Sequence, residues 1–127
     1  MKLFFFGGSF DPPHKGHLEI IQYCCKHSDK LLLIPAANSP LKNKPPSAER
    51  YHRIQMLKLL IQDLDFPIQV DDWEIKQSGP SYTYETIRHL QENYPDSNLY
   101  MVIGADQLMK FHRWKNYEGI MNSVKIL

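Results

Sequence analysis

The sequence predicts an α/β fold in which a doubly wound parallel sheet carries helices on both faces. Short apolar segments that suit buried strands alternate along the chain with segments of helical periodicity. Glycine or proline closes the first, second and fourth of these apolar segments, which indicates that those strands end in defined loops. Neither an internal repeat nor a linker interrupts the alternation, so one domain is expected over residues 1–127.

The first half of the chain is predicted to hold two strands and two helices. Its elements are, in order, the strand Leu3–Phe6, a loop over Ser9–Gly16, the helix His17–His27, the strand Lys30–Ile34, a proline-rich loop over Ala36–Ser47 and the helix Ala48–Leu64. The last of these helices has Ser47 as a candidate N-cap. Its apolar stripe consists of Ile54, Leu57, Leu60 and Ile61.

The second half continues the alternation with shorter elements. They are the strand Ile68–Ile75, a break at Gly79-Pro80, the helix Ser81–Asn93, the strand Leu99–Ile103, short helices over Asp106–Phe111 and Tyr117–Asn122, and a strand that begins at Val124. Ser81 or Thr83 is the candidate N-cap of the longer helix.

Composition narrows the class of protein. The formal net charge is +1 and no long basic run is present, which argues against a nucleic-acid partner. The opening MKLFFFGG is too short and too weakly apolar for a signal peptide or a membrane span, so a soluble, cytoplasmic protein without a membrane partner is expected. Cys24 and Cys25 are adjacent and are interpreted as free thiols, and no cysteine pairs suggest a zinc site.

Three of the predicted strand ends lead into unusual loops, after Gly7, after Pro35 and after Gly104. In doubly wound sheets, ligands bind at the carboxyl ends of the strands near the point where the strand order reverses. The three loops are therefore expected to share one binding site.

The loop after the first strand carries the strongest chemical signal. Gly7 and Gly8 would let the backbone approach a ligand closely, and Ser9 offers a hydroxyl and an N–H to a phosphate. Gly16 would let the helix begin close to the loop, and His17 would lie in its first turn, where the helix dipole favours anions.

His14 is three residues before His17, so both imidazoles can face one pocket. Either histidine alone is more often a loop or capping residue, and a glycine pair alone is usually a turn. The combination of strand, Gly-Gly-Ser, His-x-Gly-His and helix predicts a site for a polyphosphate whose charge grows during transfer.

At these residues the sequence resembles the nucleotidyltransferase superfamily. The segment GGSFDPPHKGHL is most similar to bacterial nicotinate-nucleotide adenylyltransferases. The segment Gly79–Thr83 followed by Glu85-Thr86 resembles that family's pyridine-nucleotide loop. Ile103–Asp106 with Trp114 downstream resembles its adenosine motif and its ring-stacking tryptophan. Ser39–Lys42 resembles a loop that usually reads Pro-Pro-His-Lys, and its lysine is retained whereas its histidine is not.

The resemblance implies a Rossmann-like fold and a direct displacement in which nicotinate mononucleotide attacks the α-phosphorus of ATP. Mg²⁺ would accompany ATP, and no metal site is expected in the protein itself. His14 and His17 would neutralise the triphosphate, Ser9 would hold phosphate, and Lys42 would reach it from the second loop. The other residues implied on the ATP and phosphate side are Gly7, Gly8, Phe10, Gly16, Gly104 and Asp106, although the residues alone leave Phe10 and Trp73 as packing residues.

The pyridine side of the site is implied in the same way. Tyr82 and Thr83 would contact the nicotinate carboxylate, partly through backbone N–H groups at a helix start. Trp114 would stack on the pyridine ring, Gly104 would let adenosine lie against the backbone, and Asp106 would accept hydrogen bonds from the ribose. Core packing for Trp114 and an N-cap role for Asp106 are the ordinary alternatives.

The sequence departs from the family pattern near Leu127. Family members carry a later Ser/Thr-rich motif with an arginine that grips the ATP phosphates, and no such motif precedes Leu127. A C-terminally incomplete domain is therefore expected. Two alternatives stay open: a sister enzyme acting on nicotinamide mononucleotide or phosphopantetheine, and a non-catalytic nucleotide-binding fragment. A homo-oligomer is also left open.

Overall fold

The structure is a computed structural model that describes residues 1–8, 10, 13, 15–36, 50–76, 82–103, 118–120 and 125–126. Its elements are β1 (Lys2–Gly8), α1 (Lys15–His27), β2 (Lys30–Pro35), α2 (Arg50–Ile61), β3 (Ile68–Val70), α3 (Trp73–Lys76), α4 (Thr83–Asn93), β4 (Asn98–Val102) and β5 (Lys125–Ile126). No helix in these ranges is long and apolar enough to cross a membrane.

The strands form one parallel sheet in the order β3-β2-β1-β4-β5. β1 is central, with Phe4 level with Leu31 on one side and with Tyr100 on the other. The chain therefore builds the sheet outwards from β1 in one direction and then returns to build it in the other. This order confirms the predicted doubly wound α/β fold and puts the reversal point between β1 and β4.

Alternate residues of β1 enter two separate cores, because successive strand side chains point to opposite faces. Leu3 and Phe5 lie in a cluster with Ile87 and Leu90 of α4. Phe4 and Phe6 lie in a second cluster that includes Ile21 of α1 and Leu57 of α2. All four β1 side chains are buried, so the strand is apolar throughout, as a parallel strand covered on both faces should be.

Several helix and strand boundaries in the structure differ from the predicted ones. β1 runs on through Gly7 and Gly8, which pair with Ile34 and Pro35, so both glycines belong to the strand end. α1 begins at Lys15, which puts Gly16 inside the helix and not in the preceding loop. α2 is described over Arg50–Ile61 and stops before the predicted Leu64.

The prediction that a strand continues to Ile75 is wrong. β3 ends at Val70, and Trp73–Lys76 form the short helix α3. The Oδ1 atom of Asp71 accepts a hydrogen bond of 2.9 Å from the backbone N–H of Trp73. That local bond turns the chain out of the sheet, since an aspartate side chain offers the backbone an alternative to the strand ladder.

The predicted cap of α4 is also wrong. The N-cap residue is Tyr82, and its side chain makes no capping hydrogen bond. Ser81, Ser47 and the predicted helix over 106–111 lie outside the described residues. Of the predicted helix over 117–122, residues 118–120 are helical as predicted, and residues 117, 121 and 122 also lie outside the described residues.

The two cysteines confirm the expectation of free thiols. Burial, with a smaller contribution from the neighbouring Cys25, raises the pKa of Cys24 to about 11. Burial also raises the pKa of Cys25. Because a thiolate is the reactive form of cysteine, both side chains are poor nucleophiles at neutral pH.

Candidate phosphate-binding site at the carboxyl ends of the strands

Two helices point their N-termini at the carboxyl edge of the sheet, one on each face. α1 connects the carboxyl end of β1 to the start of β2, and α4 leads back to the start of β4. α1 packs in the cluster that holds Phe4, whereas α4 packs in the cluster that holds Leu3. Both N-terminal dipoles therefore favour negative charge at the reversal point.

At the end of β1, a Cβ atom would fit at either glycine without a clash. A Cβ atom added to Gly7 would come within 3.7 Å of the Ile34 carbonyl oxygen, and one added to Gly8 would lie 3.7 Å from the Phe10 ring. These are ordinary van der Waals distances, so packing within the described residues does not require glycine at either position. That a ligand approaches the backbone at these glycines stays a prediction.

His17 lies in the first turn of α1 and is partly exposed. The ring of Phe10 meets it edge-on, with 4.9 Å between ring centroids and an interplanar angle of 64°. Phe10 also meets Phe6 edge-on at 5.3 Å. Aromatic contacts of this kind hold the imidazole of His17 against the residues that link the β1 glycines to α1.

Phe10 is the feature that sequence reasoning understated. It is 2% exposed, and it is the non-glycine residue with a positive φ among those described, at 49°. A left-handed backbone is unfavourable for a bulky residue, so the burial of the ring must compensate for the strain. The buried position of Phe10 fits its interpretation as a packing residue. Because it packs against His17, Phe10 is also part of the candidate site.

The first turn of α1 contains no acidic side chain, and its last turn contains Lys26 and His27. This distribution complements the helix dipole at the C-terminus, and no carboxylate of the first turn itself competes with an anion at the N-terminus. An anion at the end of β1 would therefore meet the positive end of the helix without repulsion from its own first turn.

On the other face, Tyr82 and Thr83 lie at the start of α4, and both are partly buried. The Tyr82 carbonyl accepts hydrogen bonds from the N–H groups of Glu85 and Thr86, at 3.1 and 3.3 Å. The Tyr82 side chain makes no capping hydrogen bond, and the N-terminal dipole of α4 favours negative charge at this position.

A buried polar link joins the elements on either side of the Gly79-Pro80 break. The hydroxyl of Thr86 donates a hydrogen bond of 2.6 Å to Glu74 Oε2, with both residues buried. Beside it, Trp73 stacks on His89 with 4.6 Å between ring centroids. Neither contact was predicted, because α3 itself was not.

The structure thus brings together Gly7, Gly8, Phe10, Gly16 and His17 on one side of the reversal point. It puts Tyr82 and Thr83 at a helix start on the opposite face of the sheet. The remaining predicted site residues lie outside the described residues: Ser9, His14, Lys42, Gly104, Asp106 and Trp114.

Residues 5–127 match the family described as cytidylyltransferase-like. The chain belongs to the cytidylyltransferase-like family. A probable nicotinate-nucleotide adenylyltransferase from Clostridium tetani is 40% identical over 124 residues, which are 96% of this chain and 62% of the relative. One from Rhodopirellula baltica is 44% identical over 91% of this chain and 54% of the relative. One from Aquifex aeolicus is 37% identical over 96% of this chain and 73% of the relative.

The resemblance inferred from the motifs is confirmed by these family relatives. The chain spans less than two thirds of the length of the first two, at 62% and 54%. Among solved structures, that of a candidate nicotinate-nucleotide adenylyltransferase from Vibrio parahaemolyticus superposes with a TM-score of 0.84 at 27% identity, over 99% of this chain and 72% of the other. The nicotinic acid mononucleotide adenylyltransferase of Plasmodium falciparum, at 18% identity and a TM-score of 0.81 over 73% of its chain, shows that the fold is shared.

Proposed function

We propose that this chain carries the catalytic part of an adenylyltransferase that joins nicotinate mononucleotide to the AMP unit of ATP. The observation that carries the proposal is the end of β1, where two glycines precede the N-terminus of α1 and His17 packs against Phe10. That geometry is suited to a polyphosphate, and the names of the family relatives supply the substrate class.

The proposed reaction is a direct displacement. A 5′-phosphate oxygen of nicotinate mononucleotide forms a bond to the α-phosphorus of ATP as the bond to the β-phosphate oxygen breaks, and pyrophosphate leaves with that electron pair. No covalent intermediate on the protein is required. Catalysis then consists of holding the two nucleotides in line and stabilising the charge that develops on the phosphates.

His17 would bind and neutralise the triphosphate together with His14, while the backbone after Gly7 and Gly8 lies against it. Ser9 and Lys42 would add phosphate contacts, and Gly104 and Asp106 would hold the adenosine. These roles rest on the motif resemblance and on the placement of the β1 end and the first turn of α1. The helix dipole of α1 would act on the same charge, since its first turn has no acidic residue.

A divalent metal, proposed to be Mg²⁺, would reach the site on the triphosphate. The described parts of the chain hold no group of three histidine, cysteine or acidic side chains that could bind a metal. A Mg²⁺ ion that accompanies a nucleotide is usually held by phosphate oxygens and water. Such an ion would neutralise phosphate charge, and the protein would hold the phosphates that carry it.

The nicotinate side of the site would lie at the start of α4. Tyr82 and Thr83, at the start of a helix whose dipole favours anions, suit the carboxylate that distinguishes nicotinate from nicotinamide. Trp114 would stack on the pyridine ring. A preference for the acid over the amide is therefore part of the proposal.

The test is pyrophosphate release by this chain from ATP, Mg²⁺ and nicotinate mononucleotide, with nicotinamide mononucleotide and phosphopantetheine as competing substrates. We expect release that prefers the nicotinate substrate and falls by about 100-fold or more in His17→Ala. His27→Ala is the matched control, because His27 is exposed at the far end of the same helix.

Each other result has a distinct meaning. A preference for one of the competing substrates would replace the proposal with the corresponding sister enzyme. ATP binding without release would make this chain a nucleotide-binding part that depends on further sequence for catalysis. Equal activity in His17→Ala and His27→Ala would exclude the proposed role of His17.

A further inference from the structure

Arg53 is buried beside the apolar stripe of α2, where a hydrocarbon side chain would be usual. It is 1% exposed and is the fourth residue of the described helix, next to the predicted stripe residues Ile54 and Leu57. Burying a guanidinium group is costly unless its N–H groups find partners. A buried arginine at this position therefore needs a reason beyond packing.

The contacts of Arg53 lead to the candidate phosphate site in two steps. Its Nη1 atom donates a hydrogen bond of 2.6 Å to the carbonyl oxygen of Ala36. The N–H of Ala36 in turn donates a bond of 2.8 Å to the carbonyl oxygen of Gly8. Ala36 directly follows β2 and Gly8 ends β1, so one side chain of α2 is tied to the carboxyl ends of both strands.

The same arrangement has an electrostatic effect at the carboxyl edge. Carbonyl oxygens that end parallel strands present negative dipoles toward a bound polyphosphate. The Arg53 guanidinium donates a hydrogen bond to the Ala36 oxygen. It also adds a full positive charge that is shielded from solvent. The electrostatic field of a buried charge extends further than that of an exposed lysine, because water and salt screen the buried charge less.

We propose that Arg53 is a positioning residue for triphosphate binding, which holds Ala36, and through it Gly8, and supplies buried positive charge to the phosphate side of the site. The inference rests on the proposed function, since it assigns the residue a role in the same site. Arg53 acts on the substrate through Ala36 and Gly8, and no direct contact with the nucleotide is part of the inference.

The test compares Arg53→Met, Arg53→Lys and Lys58→Met with the wild-type chain. Lys58→Met is the matched control, because it removes one positive charge from an exposed position on the same helix. The measurements are the dissociation constants of ATP and AMP by calorimetry, and hydrogen exchange of the Ala36 amide by NMR. Circular dichroism establishes that each variant is folded.

For Arg53→Met we expect about tenfold weaker binding of ATP, a change of less than about threefold for AMP, and at least about tenfold faster exchange of the Ala36 amide. Arg53→Lys keeps the charge and loses the planar donor fork, so its ATP affinity should lie between those of wild type and Arg53→Met. Lys58→Met should match wild type in all three measurements.

Wild-type exchange at Ala36 in Arg53→Met, or an unchanged ATP affinity, would overturn the inference while leaving the proposed function intact. Equal losses for ATP and AMP would also overturn it, because they would indicate a general structural role. If Arg53→Met does not fold, Arg53→Lys decides alone: wild-type ATP affinity together with wild-type Ala36 exchange would overturn the inference. Failure of the wild-type chain to bind ATP would overturn the proposed function and this inference with it.

Discussion

At the scale of single residues, the candidate site depends on how one aromatic ring is placed. Phe10 follows the β1 glycines with a left-handed backbone, and its ring is buried between Phe6 and His17. The histidine and the glycines could be identified from sequence because their chemistry points to phosphate. The support of His17 by Phe10 could not, because it depends on a backbone angle that the residue type disfavours.

Replacing Phe10 by alanine tests that support. We expect Phe10→Ala to lower the free energy of unfolding by about 3 kcal/mol, because a buried ring is lost and a cavity remains. Urea denaturation followed by circular dichroism measures the change. Tyr51→Ala removes a 67% exposed ring from α2 and should stay within about 0.5 kcal/mol of wild type. Similar small losses in both variants would mean that Phe10 does not hold the loop.

At the scale of elements, α3 shows where local bonding overrides a strand pattern. The alternation over Ile68–Ile75 predicts one long strand, whereas the structure has three strand residues and then a short helix. The bond from the Trp73 N–H to Asp71 redirects the chain, and Glu74 then reaches Thr86 of α4. Periodicity could not show this, since it reports burial on a face and not the choice between a ladder bond and a side-chain bond.

The link between α3 and α4 makes a stability prediction. Thr86→Val keeps the size of the side chain but leaves the buried Glu74 carboxyl without the bond from the hydroxyl. We expect the free energy of unfolding to fall by about 1–3 kcal/mol, as measured in urea. Thr86→Ser retains the hydroxyl and should recover most of the loss. If Thr86→Ser were as unstable as Thr86→Val, the lost methyl contacts and not the hydrogen bond would explain the effect.

At the scale of the whole molecule, the fold class could be predicted and the strand order could not. Alternation of apolar runs and helical segments indicates a parallel sheet with both faces covered, and that much is confirmed. The order β3-β2-β1-β4-β5 depends on pairings between distant parts of the chain, such as Phe5 with Met101. Neither residue carries a local signal of its partner, because both are simply apolar.

The strand order predicts how protection from hydrogen exchange is distributed. β1 is paired on both sides and its side chains are buried on both faces, whereas β3 and β5 are the outer strands of the described sheet. We expect the amides of Leu3–Phe6 to exchange slowest, and those of β3 and β5 to exchange at least about tenfold faster. Native-state exchange by NMR measures this. Equal protection of β1 and β3 would mean that the sheet opens only as a whole.

The central position of β1 also governs the order of events while the chain is being made. β1 leaves the ribosome before the other strands of the described sheet and can pair with β2 soon afterwards, but its other edge must wait for Asn98–Val102. Contacts between such distant segments slow folding, and domains form largely in the order in which they are synthesised. While residues 36–97 are being made, one edge of a strand that contains three consecutive phenylalanines therefore stays without its neighbour. A nascent chain of this protein is most exposed to aggregation, and most dependent on chaperones, in the interval between β2 and β4.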